Sequence, residues 1–204
     1  MTANKGKKLK IAITGGIAVG KSTIADMIKN MGYEVFSADA IYAELLEDEK
    51  FVVRLSALLD IAPLSVDGKV VFDRVAAAKK VYDNAPIRKK FNEYTHKFVY
   101  ERVNELFAAA KGKLVFFEIP LLFESGRQND FDEVIVVYRD TDKRIESVVE
   151  RDGKDEDLVK KIINSQFDYN NKIDIRHTVI RNDGDIASLE KKVNSIVEYL
   201  ETTI

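Results

Sequence analysis

The chain has 204 residues, 32 of them Lys or Arg and 34 Asp or Glu, for a net charge of −2 with both histidines neutral. This length suits one domain that buries its own core, and a composition 46% hydrophobic and 32% charged belongs to a folded protein, not a disordered one. The charge balance argues against a dedicated nucleic-acid binder; with no Cys and only His96 and His177, disulfides, thiolate metal sites, Cys nucleophiles and multi-His metal centres are excluded.

Thr2–Lys8 is polar and basic, expected as a frayed tail and lacking the apolar segment of a secretory signal. No run approaches the roughly 20 apolar residues of a membrane span, so a cytoplasmic location and no membrane partner are expected. The first strand is expected at Leu9–Thr14 (LKIAIT). After it, Gly15-Gly16-Ile17-Ala18-Val19-Gly20-Lys21-Ser22 fits the pattern G-x-x-x-x-G-K-[ST]. Gly15 and Gly20 permit backbone conformations closed to other residues, so the loop wraps a phosphate with its N–H groups while a helix points its positive end at the anion. Lys21 then reaches the β- and γ-phosphates and the Ser22 hydroxyl ligates Mg²⁺. The amphipathic stretch Thr23–Met31 supplies that helix, with Ile24, Met27, Ile28 and Met31 on one stripe. The motif predicts nucleoside triphosphate binding without choosing among kinase, GTPase and motor ATPase.

A second strand is expected at Tyr33–Ser37, a third at Lys113–Ile119, a fourth at Glu133–Tyr138 and a fifth at His177–Arg181. Short, near-continuously apolar runs of this kind are those of parallel strands covered on both faces, and their alternation with helices implies an α/β fold. Between the second and third strands, Ala38–Gly112 reads as mostly helix, with a turn at Asp67-Gly68 and a helix start at Asn84-Ala85-Pro86. A charged helical segment, Asp142–Asn171, separates the fourth and fifth strands. Two insertions at one end of a parallel sheet are where substrate domains and lids sit. The chain is expected to close with a helix over Ser188–Leu200, capped by Asp185 or Ser188.

Beyond the phosphate loop, TGGIAVGKST at Thr14–Thr23, further motifs accumulate: Ser37-Ala38-Asp39, Asp67-Gly68 and Asp73-Arg74, Val81-Tyr82, Thr95-His96, Pro120-Leu121-Leu122-Phe123-Glu124, Arg151-Asp152-Gly153, Gln166 and Asn182-Asp183-Gly184. In these the chain resembles the dephospho-CoA kinases from Ile11 to Val197. These enzymes transfer the γ-phosphate of ATP to the ribose 3′-hydroxyl of dephospho-CoA, the last step of coenzyme A synthesis. The Ile119–Gly126 stretch is the most diagnostic, since other phosphate-loop kinases lack it. The resemblance implies a single phosphate-loop kinase domain over 1–204, a three-layer fold of the P-loop NTP hydrolase kind with a five-stranded parallel sheet of order 2-3-1-4-5. Its core would comprise 9–38, 111–139 and 173–204, with a helical acceptor-binding subdomain at 39–110 and a helical lid at 140–172. ATP and dephospho-CoA are the implied small-molecule substrates, with Mg²⁺, no nucleic acid, and a monomer or small homo-oligomer.

The candidate residues follow. Gly15, Gly16, Ala18, Val19, Gly20, Lys21, Ser22 and Thr23 would bind ATP, with Arg151 and Asn182. Asp39, after the second strand, either prepares the acceptor hydroxyl or caps the helix that follows; the resemblance favours the first. Glu118 ends the third strand, toward Mg²⁺ or as an ordinary strand-end acid; Ser22 and Glu118 are the metal candidates. Pro120, Leu121, Leu122 and Glu124 line the acceptor pocket or form a turn with core leucines. His96, structural on its own surroundings, becomes an acceptor contact under the resemblance; His177 reads as structural. Arg151 is the expected lid arginine, Arg144 a weaker candidate. The resemblance places adenine near Asn182, which otherwise reads as turn or helix cap. The chain departs from the family pattern at Ala18, usually Gly and tolerable while φ stays negative, and at Val19, often Ser. It also has Lys97 for Pro, Ser147 for an additional lid Arg, and Arg176-His177 for Ala-Asp. The rival readings are another nucleoside or nucleotide kinase of the same fold, or a phosphate-loop switch protein; no N-K-x-D-like guanine motif supports the latter.

Overall fold

The structure, a computed structural model, describes residues 7–167 and 177–202. Most of the Thr2–Lys8 tail, residues 168–172 of the lid and Arg176 lie outside the described residues. Lys7 and Lys8 are not frayed: Lys7 pairs with Asp132 at 2.6 Å and Lys8 donates to the Ala110 carbonyl at 2.6 Å. Contacts divide the chain into two compact units, Met1–Ser37 with Ala110–Ile204, and Ala38–Ala109.

The first unit is built on five strands: β1 (Leu9–Thr14), β2 (Glu34–Ser37), β5 (Leu114–Glu118), β6 (Glu133–Tyr138) and β7 (Thr178–Arg181). All neighbours pair in parallel, in the order β2-β5-β1-β6-β7, which is the order 2-3-1-4-5 of the five expected strands. Every residue of β1 is buried, even Lys10, whose ammonium lies 4.7 Å from the Phe131 ring and whose pKa burial pushes down. Parallel strands put all their C-terminal ends on one edge of the sheet. At that edge Ser37 stands opposite Glu118, and Glu118 opposite Ile13.

Two helices cover the sheet. They are α1 (Lys21–Asn30), two residues ahead of the expected start, and α8 (Ile186–Thr202), where the Asp185 carboxylate accepts the Ser188 N–H at 2.8 Å. Ile24 and Ile28 of α1 join Leu189, Val193, Val197 and Leu200 of α8 in one cluster with Ile11, Ile13 and Phe116. The charged insertion is a pair of amphipathic helices, α6 (Thr141–Asp152) and α7 (Glu156–Ser165), each capped by the Asp before it. Their own small core is Ile145, Val148, Val159 and Ile163, and Ile17 and Ala18 of the phosphate loop pack against it.

The second unit has four helices, α2 (Ala38–Leu45), α3 (Glu49–Leu58), α4 (Arg74–Asp83) and α5 (Ala85–Ala109). Phe51, Val52, Leu55, Leu59 and Phe72 form its core. Asp73 begins α4 by accepting the N–H groups of Val75 and Ala76, and Asn84 does the same for Ile87 at the start of α5. The reading of this segment as mostly helix missed a hairpin, β3 (Leu64–Val66) and β4 (Lys69–Val71). Its turn was legible: Asp67 and Gly68 both have positive φ, as a two-residue hairpin turn requires. Three-residue strands are too short to show a period of two.

Phe116 sits at the centre of β5, fully buried, with its ring edge-on to Tyr33 at 5.7 Å. Phe116→Ala is expected to cost about 3–5 kcal/mol of stability, seen as a lower urea midpoint with little change in slope. Val75→Ala, at an exposed position, should stay within about 0.5 kcal/mol of the parent in the same titration.

Candidate active site

The site begins where β1 runs out. The chain turns through Gly15–Gly20 into α1, and the residue that caps α1 is Gly20, at φ 90°, with no side chain to accept the helix's first N–H groups. Helices normally start on Ser, Thr, Asp or Asn for that purpose. A glycine here leaves the orphan donors for something else, and an anion is what they attract. Gly15 is needed for space: a Cβ there would lie 2.3 Å from the Val137 carbonyl oxygen of β6.

The loop's carbonyls are all held. Lys21 Nζ donates to the oxygens of Gly15 at 3.0 Å and Gly16 at 2.8 Å. Arg144 Nε donates to Ile17 O at 3.0 Å, Arg139 Nη1 to Ala18 O at 3.4 Å, and Asn182 Nδ2 to Val19 O at 2.9 Å. Gly20 O accepts the Ile24 N–H at 3.2 Å as α1's first turn closes. Among the described residues the N–H groups of Ala18, Val19 and Gly20 meet no acceptor. A loop with occupied carbonyls, vacant N–H donors and a Lys at its mouth is built to take a polyphosphate.

At the first turn of α1, Ser22 Oγ lies 3.0 Å from Glu118 Oε1. Two adjacent oxygen ligands of an octahedral Mg²⁺, each about 2.0–2.1 Å from the ion, stand about 2.9 Å apart. The pair therefore fits Mg²⁺ in both donor type and spacing. Among the described residues no group of three or more His, Asp or Glu is arranged to hold a metal.

Beyond Glu118 the chain enters the Pro120–Glu124 turn. Leu121 is 45% exposed at φ 57°, a left-handed conformation that is a genuine outlier for a bulky residue and one that collects at functional sites. Leu122 is the core leucine of the turn, fully buried, so it has only backbone to offer a ligand. Glu124 Oε1 accepts the Phe167 N–H at 2.8 Å, and Phe123 stacks on Phe167 at 4.7 Å and lies 5.4 Å from His177.

The lid arginines differ from the expectation. Arg151 is exposed and paired with Asp152 at 2.7 and 3.2 Å. Arg151, helped by Lys154, holds the Asp152 carboxyl down to about 2, so the pair stays ionised at neutral pH. Arg144, weighted less, is buried against the loop. Arg139, not anticipated at all, donates to Ser147 Oγ at 3.0 Å. No sequence spacing signals the bonds from Arg139 and Arg144 to the loop carbonyls, which join residues more than 120 apart in the chain. Asn182 braces the loop through Val19 O, and the following Asp183 accepts the Asp140 N–H at 2.7 Å. Arg181 and that N–H together hold the Asp183 carboxyl below the usual Asp range.

In the second unit, Asp39 is not a helix cap. α2 starts at Ala38, so Asp39 lies exposed inside its first turn, where its charge favours the helix dipole. It follows Ser37, the register partner of Glu118, by two residues. His96 is half-buried on α5, edge-on to Tyr100 at 6.4 Å.

The profile of the dephospho-CoA kinase family matches residues 9–188. The chain belongs to that family. A dephospho-CoA kinase of Fusobacterium nucleatum is 31% identical over 190 residues, 93% of this chain and 97% of the relative, and one of Methylococcus capsulatus is 34% identical over 92% and 94%. A crystal structure of a Thermus thermophilus protein superposes with a TM-score of 0.81 at 29% identity, covering 95% of this chain and 98% of that one. Ser147, where the family resemblance leads one to expect Arg, instead accepts from the Arg139 guanidinium.

Ala18 stands where the family usually has Gly, and the condition for tolerating it fails: its φ is 58°. The left-handed region costs a non-glycine residue roughly 1 kcal/mol or more. Packing against the lid core and the Arg139 bond hold it there. Ala18→Gly is therefore expected to raise stability by about 1 kcal/mol in thermal unfolding; a fall instead would mean that the lost methyl contact outweighs the relieved strain.

Proposed function

We propose that this chain transfers the γ-phosphate of ATP to the ribose 3′-hydroxyl of dephospho-CoA, giving CoA and ADP. One observation carries the choice of acceptor. The family match runs unbroken through the second unit and the Pro120–Glu124 turn, the parts that a different kinase of this architecture would replace. Neither rival, another nucleotide kinase or a switch protein, has a comparable observation in its favour. A supply of cellular ATP and a chain without Cys support a cytoplasmic location.

In this reading the vacant N–H groups of the loop cradle the phosphates. Lys21 leaves the carbonyls of Gly15 and Gly16 for the β- and γ-phosphates, where its charge gains worth as negative charge moves toward the leaving oxygen. Ser22 and Glu118 would hold Mg²⁺, whose charge would offset that of the phosphate oxygens. Asp39 follows Ser37, the register partner of Glu118, by two residues along the chain. In this reading it orients the 3′-hydroxyl. The 3′-oxygen bonds to the γ-phosphorus as that atom's bond to the β–γ bridging oxygen breaks, and the hydroxyl proton passes to Asp39. A loose transition state asks little of a base, so orientation is most of Asp39's work. Leu121 by its exposed apolar surface, Pro120, Glu124 and His96 are the proposed acceptor contacts.

An ATP-coupled assay across dephospho-CoA, nucleosides and nucleoside monophosphates tests the reading. Turnover with dephospho-CoA alone is expected; faster turnover of a monophosphate would replace the acceptor. Lys21→Ala should lower the turnover number by about 10²-fold or more. Asp39→Asn should leave ATP affinity within a few-fold and lower transfer by roughly 10²–10⁴. Its cost to stability should be at most about 1 kcal/mol, the loss of one charge at a helix start. Full activity in Asp39→Asn would leave the hydroxyl to be held elsewhere.

A further inference from the structure

Two arginines stand on α6 seven residues apart, about 10 Å along the axis, in opposite environments. The Arg151 side chain is 64% exposed and neutralised by Asp152. Arg144 is 6% exposed and reaches across to the phosphate loop. Its Nε donates to Ile17 O at 3.0 Å, and its Nη2 to Gln166 Oε1 at 3.2 Å. That same Gln166 oxygen accepts the Ile17 N–H at 2.9 Å. One neutral amide oxygen thus sits where a loop N–H and a guanidinium converge. It also lies 2.9 Å from where a Cβ on Gly16 would be, and Arg144 Nη2 only 2.4 Å from it, so any side chain at position 16 would fill this point.

A backbone donor and an arginine aimed at one oxygen, on a loop that otherwise offers vacant N–H groups, describe the place of a phosphoryl oxygen. An anionic oxygen makes both bonds shorter and about twice as strong as an amide oxygen does. The helix pair that carries Arg144 is anchored on the same loop, since the α6–α7 core packs on Ile17 and Ala18. The guanidinium is therefore fixed relative to the phosphates before any lid movement.

We infer that Gln166 Oε1 marks the subsite of a γ-phosphate oxygen, that Arg144 is the catalytic arginine that contacts it, and that the nucleotide displaces the Gln166 amide from that point. The inference rests on the reading that the loop binds ATP. As the γ-phosphoryl group leaves the bridging oxygen for the acceptor, Arg144 balances the charge on its equatorial oxygens. Arg151 serves the lid surface.

Titration calorimetry of the full chain with ATP and with ADP, in the absence of acceptor, separates this inference from the choice of acceptor. Arg144→Ala is expected to weaken ATP at least tenfold while leaving ADP within about twofold, and to lower turnover by 10²-fold or more. Gln166→Ala should leave ATP affinity unchanged or improve it, because a competing oxygen is gone; a purely structural Gln166 would weaken both nucleotides. Arg151→Ala should keep turnover within a few-fold. Should Arg144→Ala not fold, Arg144→Lys carries the test, with a several-fold loss of ATP-over-ADP preference expected, since an ammonium lacks the fork that reaches both Ile17 O and the subsite. An equal loss for ATP and ADP in the Arg144 variants, or a 10²-fold loss in Arg151→Ala with Arg144→Ala active, overturns the inference. Failure of the wild-type chain to phosphorylate dephospho-CoA would overturn the acceptor and leave the titrations to decide Arg144.

Discussion

A phosphate loop works only if its N–H groups are presented and its carbonyls are not. Each peptide unit carries both, so something must accept the task of holding the oxygens away. In this chain five side-chain donor contacts do so, from Lys21 to Gly15 and Gly16, and from Arg144, Arg139 and Asn182 to Ile17, Ala18 and Val19 in turn. The donors come from three places: α1, the segment after β6 and the segment after β7. The parallel sheet is what brings those places together, because β6 pairs with β1 and β7 with β6, and all three end on one edge.

The same constraint explains why the lid is not a loose appendage. α6 carries Arg144 inward on the face that also carries Ile145 and Val148, and α7 completes the cluster with Val159 and Ile163. Ile17 and Ala18, two of the four variable positions of the loop motif, pack on it. Ala18 pays for this with a left-handed backbone that glycine would adopt freely. At its far end the lid meets the Pro120–Glu124 turn through Phe167, whose N–H goes to Glu124 and whose ring stacks on Phe123. Loop, lid and turn are thus tied to one another by short contacts within a single unit.

The five strands were legible because a strand buried on both faces has to be apolar along its whole length, and LKIAIT and EVIVVY are. The loop was legible because its glycines, Lys21 and Ser22 answer requirements local to eight residues. Strand order came from resemblance alone, since no pattern within a strand names its neighbour. What failed were features set by distant partners. The β3–β4 hairpin has strands of three residues, and Leu121, in the same turn as the buried Leu122, is held exposed by a left-handed backbone. The motif Arg151-Asp152-Gly153 is a helix end in the fold, with Gly153 as its left-handed cap and Arg151 bound to its neighbour. Of the two readings of Asp39, the cap drops out, because α2 starts at Ala38 as soon as β2 ends.

The pairing of β1 with β5 bears on chemistry. Ser22 follows β1 through the phosphate loop, Glu118 ends β5, and the Glu118 carboxylate meets Ser22. The residues proposed for the metal are therefore linked through two adjacent strand ends of the first unit. Backbone hydrogen bonds of a buried parallel sheet are among the least deformable connections a protein has. A transfer reaction whose catalysis is mostly positioning gains most from that kind of connection.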